Sequence, residues 1–174
     1  MRYVKFLLLV LFPAIVLTCI HSYANTNSNI PAQLNQPGYT NAEIMIWAAR
    51  KVQDTLHFDY DDYRGQLGKG EYNFTSTGWG GLTSSLKQMN IIGILEENMD
   101  GVRVTINAAP EIVSSKLVLA QYTWDLKFPI TITFTGRQPP QSKSAILNLR
   151  IIRVPASQND DGIAFDNWTT TLTD

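Results

Sequence analysis

The hydrophobic positions of this chain change period once, and the change divides it. Ile44, Trp47, Ala48, Val52 and Leu56 recur at helical spacing, which predicts an amphipathic helix over residues 40–57. Thr40 and Glu43 stand at capping-box spacing, and Tyr39 and Ile44 occupy the staple positions around that cap. Residues 58–74 are aromatic and charged and are broken by Gly65, Gly68 and Gly70, so one helical turn followed by a loop is expected. Thr75 or Ser76 is placed to cap a second helix over residues 79–89, with Trp79, Leu82, Leu86 and Met89 on one face. Residues 91–97 read as a short third helix that ends near Asp100-Gly101.

Beyond Gly101 the period becomes two. Val102, Val104, Ile106 and Ala108 alternate with polar residues, and residues 112–119 continue as a β-rich run. Tyr122, Trp124, Leu126, Phe128, Ile130, Ile132 and Phe134 alternate over 13 positions, which predicts one long strand. Pro129 inside it predicts a bulge or an edge stretch, because proline cannot donate to the ladder. Residues 145–154 form another strand. Its Ile151-Ile152 pair breaks the alternation and predicts a bulge or burial on both faces. A bulge there would bring Arg150 and Arg153 to one face, and at least one of them is expected to pair with a carboxylate. Residues 163–172 supply a last strand. Helices first and strands afterwards imply an α+β fold, with N-terminal helices packed on a strongly curved antiparallel sheet of four to five strands.

The first residues set the compartment. Arg2 and Lys5 precede a 15-residue apolar run over residues 6–20, and Ser22-Tyr23-Ala24 supplies small residues at −3 and −1 of a cleavage site. Residues 1–24 therefore read as a signal peptide. Retention of the run as an anchor, and lipidation at Cys19, are the two competing fates. Residues 25–38 are polar and carry Pro31 and Pro37, and they read as a flexible arm. Residues 39–174 then form a single domain. Cleavage after Ala24 leaves no cysteine, so the mature domain must rely on its core and not on disulfides. It also leaves 12 basic residues against 15 acidic ones. A net charge of that sign argues against a broad nucleic-acid footprint, so no nucleic-acid partner is expected.

The inventory of reactive groups is thin. His57 is the one histidine beyond the signal, and its neighbour Asp59 suits a helix end better than a catalytic pair. Asp59, Asp61, Asp62 and Glu71 lack the alternate spacing of a calcium loop, which Tyr60 and Tyr63 interrupt. Gly78-Trp79-Gly80-Gly81 follows no strand and precedes no Lys-Ser or Lys-Thr, so it is not expected to cradle phosphate. Asp160-Asp161-Gly162 reads as a solvated turn. Trp47 and Trp124 fall on core positions. No catalytic residue, metal or cofactor is expected.

An ordered set of residues nonetheless resembles a known family. Asp59 with Tyr63-Arg64, Phe74-Thr75 with Gly78-Trp79, Tyr122 and Trp124 with Pro129, and Arg150 and Arg153 with Pro155 occur in that order. Together they resemble the DotI/IcmL family of type IVB secretion systems, related to TraM of conjugation systems. The resemblance implies a periplasmic NTF2-like, VirB8-like domain without catalytic activity, in which those residues have structural or assembly roles. It implies other secretion subunits as partners, with docking to the outer-membrane core of the machine or self-association as options. The chain departs from the membrane-spanning members in having only about 24 residues before the mature domain, so it resembles a short, signal-bearing paralogue. Two other functions stay open on the residues. One is a periplasmic ligand-binding or independent binding module. The other is an enzyme using Asp59, His57 or Tyr63 in a pocket between helices and sheet.

Overall fold

The computed structural model describes residues 33–98, 101–136 and 139–173. The signal reading falls on residues outside that set. Helices α1 (Asn41–Thr55), α2 (Tyr63–Gly70), α3 (Ser76–Gln88) and α4 (Ile91–Asn98) precede strands β1 (Val102–Ile106), β2 (Glu111–Val118), β3 (Gln121–Phe134), β4 (Gln141–Arg153) and β5 (Ile163–Thr173). All strand pairs are antiparallel, in the order β1-β3-β4-β5, with β2 also paired to β3.

The expected α+β order holds, and its causes are local. Thr40 caps α1: its hydroxyl accepts from the Glu43 N–H, and the Glu43 carboxylate accepts from the Thr40 N–H at 2.7 Å. Thr75 caps α3, whose first turn begins at Ser76, earlier than the apolar face suggested. In β3 the alternation of the sequence becomes an alternation of burial, with Trp124, Leu126, Phe128, Ile130, Ile132 and Phe134 all buried. They join Ile44, Trp47, Val52, Leu82 and Leu86 from the helices in one core. Each such side chain contributes about 1.5–3 kcal/mol when fully buried.

Several expectations change or sharpen. Residues 58–74 are mostly helical: 3₁₀ turns at Tyr60–Asp62 and Glu71–Asn73 flank α2. Each glycine costs a helix interior about 1 kcal/mol. Burial of Tyr63 and packing of Leu67 against the core, one turn apart, offset that cost.

Pro129 lies in no bulge but in a local edge stretch of β3, the second of the two expectations. β3 is central, and Pro129 sits where β1 ends and β2 has yet to begin: Ile106 pairs Ile130, and Glu111 pairs Lys127. The Pro129 carbonyl accepts from the Asn107 N–H at 2.9 Å. Its missing donor therefore faces the break between two short strands, where no ladder bond is lost.

The irregularity beside Ile151-Ile152 belongs to the opposite strand. Arg150 pairs Asn167 and Ile151 pairs Phe165, so Asp166 is the extra residue of a bulge in β5. β4 keeps its register with β3 through this stretch. Arg150 and Arg153 accordingly point to opposite faces. Ile151 joins the main core, and Ile152 joins a small second cluster with Val154 and Ala164.

Asp161 lies in an exposed turn, as expected, but its carboxylate also clamps helix α1 as described below. In addition, residues 33–38, read as the end of the arm, lie against the sheet. The Tyr122 N–H donates to the Leu34 carbonyl at 2.7 Å, and Gly38 packs beside the Arg153 guanidinium.

Candidate interaction site

Most of the family-motif residues singled out in the sequence gather into four joints. The first seats α3 on β5. Thr75 N–H donates to the Phe165 carbonyl at 2.9 Å, and its hydroxyl donates to the bulged Asp166 carboxylate at 2.8 Å. A Cβ on Gly78 would meet the Phe165 carbonyl oxygen at 2.1 Å, and one on Gly81 would meet that of Trp168 at 2.5 Å. The two glycines, three apart on one helix face, let the helix lie directly on the strand backbone. Phe74 fills the remaining space against Phe165, Trp168 and Trp79, with ring centroids 5.0–5.7 Å apart.

The second joint ties α2 to α4. The Tyr63 hydroxyl donates to Glu96, and Arg64 reaches both groups, at 2.8 Å and 2.9 Å. The hydrogen bond from Tyr63, then that from Arg64, holds the Glu96 carboxyl below its ordinary pKa. In the third, Asp59 accepts from Arg103 at 2.7 Å and from Gln66 at 3.0 Å, and those bonds, Arg103 first, lower its pKa. The fourth is Arg150 with Asp125 across β4 and β3, at 2.8 Å. Burial pushes the Asp125 carboxyl up, and the bonds from Arg150 and Ser114 outweigh it and bring the pKa down.

Arg153 differs from Arg150. It is buried, its guanidinium lies 5.5 Å from the Tyr39 ring centroid, and its Nε has no hydrogen-bond partner. Pro155 begins the exposed turn after it. Tyr122 packs on buried Trp124 at 4.9 Å.

Sequence reasoning missed Asp161. Its carboxylate accepts from Trp47 Nε1 at 2.9 Å and lies 3.5 Å from Lys51 Nζ, and its carbonyl accepts from the Tyr39 hydroxyl at 2.5 Å. One residue of the β4–β5 turn thus holds the start and middle of α1. The acceptor-rich turn, 114 residues from Trp47, carried no local signal for this.

The reactive candidates do not converge. His57 lies 3.9 Å from Asp59, and both are about half exposed. His57 lines a surface depression of about 300 Å³, whereas Tyr63 lines another of about 350 Å³. Between helices and sheet, Trp47, Trp124 and Phe128 occupy the interior. Among the described residues no group of three His, Cys, Asp or Glu side chains could hold a metal ion. Nor is any described helix long and apolar enough to cross a membrane.

What the surface does offer is apolar. The hairpin joining β2 to β3 exposes Leu117, Val118 and Leu119, the last at 97 %. On α1, Ile46 is 68 % exposed and borders a groove of about 310 Å³ lined by Ala42, Met45, Ile46, Ala49, Ala109 and Pro110.

Residues 20–172 match a family model, that of DotI and IcmL, described as a type-IV b secretion system, inner-membrane complex component. The chain belongs to the DotI/IcmL family. Solved structures agree with the fold of this DotI/IcmL protein. The periplasmic domain of DotI is 19 % identical, with a TM-score of 0.72 over 78 % of this chain and 97 % of that one. A periplasmic fragment of TraM is 16 % identical, with a TM-score of 0.73 over 78 % and 99 %. An IcmL-like type IV secretion system protein from Legionella pneumophila is 20 % identical, with a TM-score of 0.69 over 78 % and 95 %. No curated protein matches the chain. Identities this low establish a shared α+β architecture, and the DotI/IcmL assignment itself rests on the family model.

Proposed function

We propose that this DotI/IcmL chain is a non-catalytic structural or accessory component of a type IVB secretion apparatus, acting in the periplasm by binding other subunits. The observation that carries this reading is the filled interior. An NTF2-like enzyme or ligand carrier works from an open cone between helices and sheet. Here Trp47, Trp124 and Phe128 are buried in that space, each no more than 7 % exposed. Most of the family-motif residues support the same view, since they are joints between elements and not groups converging on a cavity. Exposed Leu119 and Ile46 supply the apolar contact points that a subunit interface uses. The basic n-region, apolar run and Ser22-Tyr23-Ala24 support export with cleavage, which leaves a chain held in place by its partners.

The test is affinity capture of the tagged chain from envelope extracts, with the mature N-terminus read from the same material. Recovery of secretion-apparatus subunits with an N-terminus at Asn25 is the expected result. Capture of no such subunit would sink the assembly reading, and an N-terminus at Met1 or at Cys19 would sink the cleavage reading.

A further inference from the structure

The most buried arginine among the described residues is one without a carboxylate. Arg64, Arg103 and Arg150 have far more open side chains, and each meets a carboxylate at 2.7–2.9 Å. Arg153 is 9 % exposed, and no described residue accepts a hydrogen bond from its guanidinium or pairs with its charge. An unpaired cation is costly to bury. Packing does not require one here, since a methionine has a similar length and would fill the same space.

The chain nevertheless builds a seat for the cation. A Cβ on Gly38 would lie 3.1 Å from Cζ and 3.3 Å from both Nη1 and Nη2. Those near-equal distances place the Gly38 backbone over one flat face of the guanidinium. A Cβ on Gly162 would lie 3.1 Å from Nη1. The Tyr39 ring centroid stands 5.5 Å from Cζ, and the Tyr39 hydroxyl is tied to the Asp161 carbonyl. At the strand end, Gln121 Nε2 donates to the Arg153 carbonyl at 2.6 Å. Nε is sealed from solvent, whereas Nη1 and Nη2 are not. The seat thus presents the outer edge of the fork, fixed in position and with its donors unmet. Donors fixed before binding lose little freedom when a ligand arrives.

The carboxylates close by have other partners. Glu43 accepts from Thr40, and Asp161 accepts from Trp47 and lies beside Lys51. Helix α1 carries Glu43 and Asp54 against Arg50 and Lys51, and the turn adds Asp160 and Asp161, so no positive field surrounds Arg153. A polyanion is therefore disfavoured. What fits is one carboxylate, whose two oxygens match two parallel N–H groups of the fork.

The geometry points to Arg153 as a receptor for a single carboxylate. For the source of that group the inference rests on the assembly reading above: it is an acidic side chain or the C-terminus of a neighbouring secretion subunit. Arginine is favoured at the centre of such contacts, where a desolvated pair sets the off-rate.

The experiment titrates the isotope-labelled full chain with sodium acetate in place of chloride, at constant ionic strength, and follows it by NMR. Saturable shifts of the Gly38 and Gly162 amides and of the Arg153 Nε–H are expected. Arg153→Met should abolish the amide shifts, and Arg150→Met should leave them. Arg153→Lys keeps the charge without the fork and should weaken acetate binding severalfold. No saturable shift in the parent overturns the inference, as do amide shifts that survive Arg153→Met or an affinity unchanged by Arg153→Lys. Inorganic phosphate that binds as tightly as acetate at the same ionic strength overturns the choice of a carboxylate. Affinity capture from envelope extracts separates the sources. The Arg153→Met chain should recover secretion subunits at a level roughly tenfold or more below the parent. Acetate binding with undiminished capture assigns the site to a free acid and overturns the subunit as its source. Capture of no subunit by the parent means that the assembly reading has failed, and the acetate titration then decides the site on its own.

Discussion

Replacing Gly78 by alanine should do the opposite of what alanine ordinarily does in a helix. Gly80, two residues along the same helix, has nothing within 4 Å of the place where a Cβ would go. Gly80→Ala should stabilise the domain by about 1 kcal/mol through helix propensity alone. At Gly78 the added carbon would lie 2.1 Å from the Phe165 carbonyl oxygen and 2.8 Å from its carbon, both backbone atoms of β5, the edge strand on which α3 lies. The helix must withdraw by more than an ångström to restore ordinary contact. Overpacking of this kind costs about 1–3 kcal/mol. Withdrawal also stretches the two Thr75 bonds to Phe165 and Asp166, a further loss of about 1 kcal/mol. After the propensity gain, the net expectation is a loss of about 2 kcal/mol, or about 3 kcal/mol relative to Gly80→Ala. For a domain of this size that difference separates the melting temperatures by roughly 6–12 °C. Thermal unfolding followed by near-ultraviolet circular dichroism of the aromatic cluster reads it directly. Gly81→Ala, 2.5 Å from the Trp168 carbonyl oxygen, should fall on the destabilised side. If Gly78→Ala and Gly80→Ala melt together, the close approach of α3 to β5 is wrong.

Three further outcomes follow from the contacts described above. Asp161→Ala should cost about 1–3 kcal/mol in urea unfolding, since it strips Trp47 and Lys51 of their shared acceptor. Asp160→Ala should stay within about 0.5 kcal/mol, because that exposed residue is bonded through its backbone N–H. Glu96 has a folded pKa below its unfolded value, so its contribution is present above the unfolded pKa and is lost as pH falls through the folded one. Tyr63→Phe should raise the Glu96 pKa in an NMR titration and shrink that acid-side loss; an unmoved Glu96 pKa would contradict the assigned bond. Arg153→Met should unfold within about 1 kcal/mol of the parent, because an apolar chain of similar length replaces a buried guanidinium that makes no ion pair with a carboxylate among the described residues and whose Nε has no hydrogen-bond partner. Arg153→Ala should lose about 2 kcal/mol by leaving a cavity under Tyr39, as measured by urea titration.

What the sequence reveals is what neighbouring residues decide. The Thr40–Glu43 cap, the apolar face of α1 and the 13-position alternation of β3 are set within a few residues, and each is found where the pattern puts it. The α2 segment was hidden because its glycines speak locally against a helix, while Tyr63 and Leu67 speak for one only through a core that residues far along the chain complete. Asp161 was hidden for the same reason, since nothing near it announces Trp47. The bulge was legible as a disturbance but not by strand: the Ile151-Ile152 pair signals two covered faces, and the extra residue lies in the neighbour that covers them. The motif residues could be listed in order, but their grouping into four joints required the topology. The exposed hairpin tip left the weakest trace, because Leu117 to Leu119 differ in no way from a buried strand end until the turn is seen.

The break at Pro129 has a mechanical meaning. A single strand, β3, is served along one side by two short ones that share no ladder with each other across the gap. Disruption of β2 therefore need not propagate into β1, which is also held by its bridge to Phe58. The sheet is in effect a rigid plate with a hinged finger. Amide exchange should divide accordingly, with β2 protons lost through local opening and β1 protons through the higher-energy opening of the core. A finger able to yield without unfolding the plate can follow a moving neighbour while the rest of the domain keeps its shape.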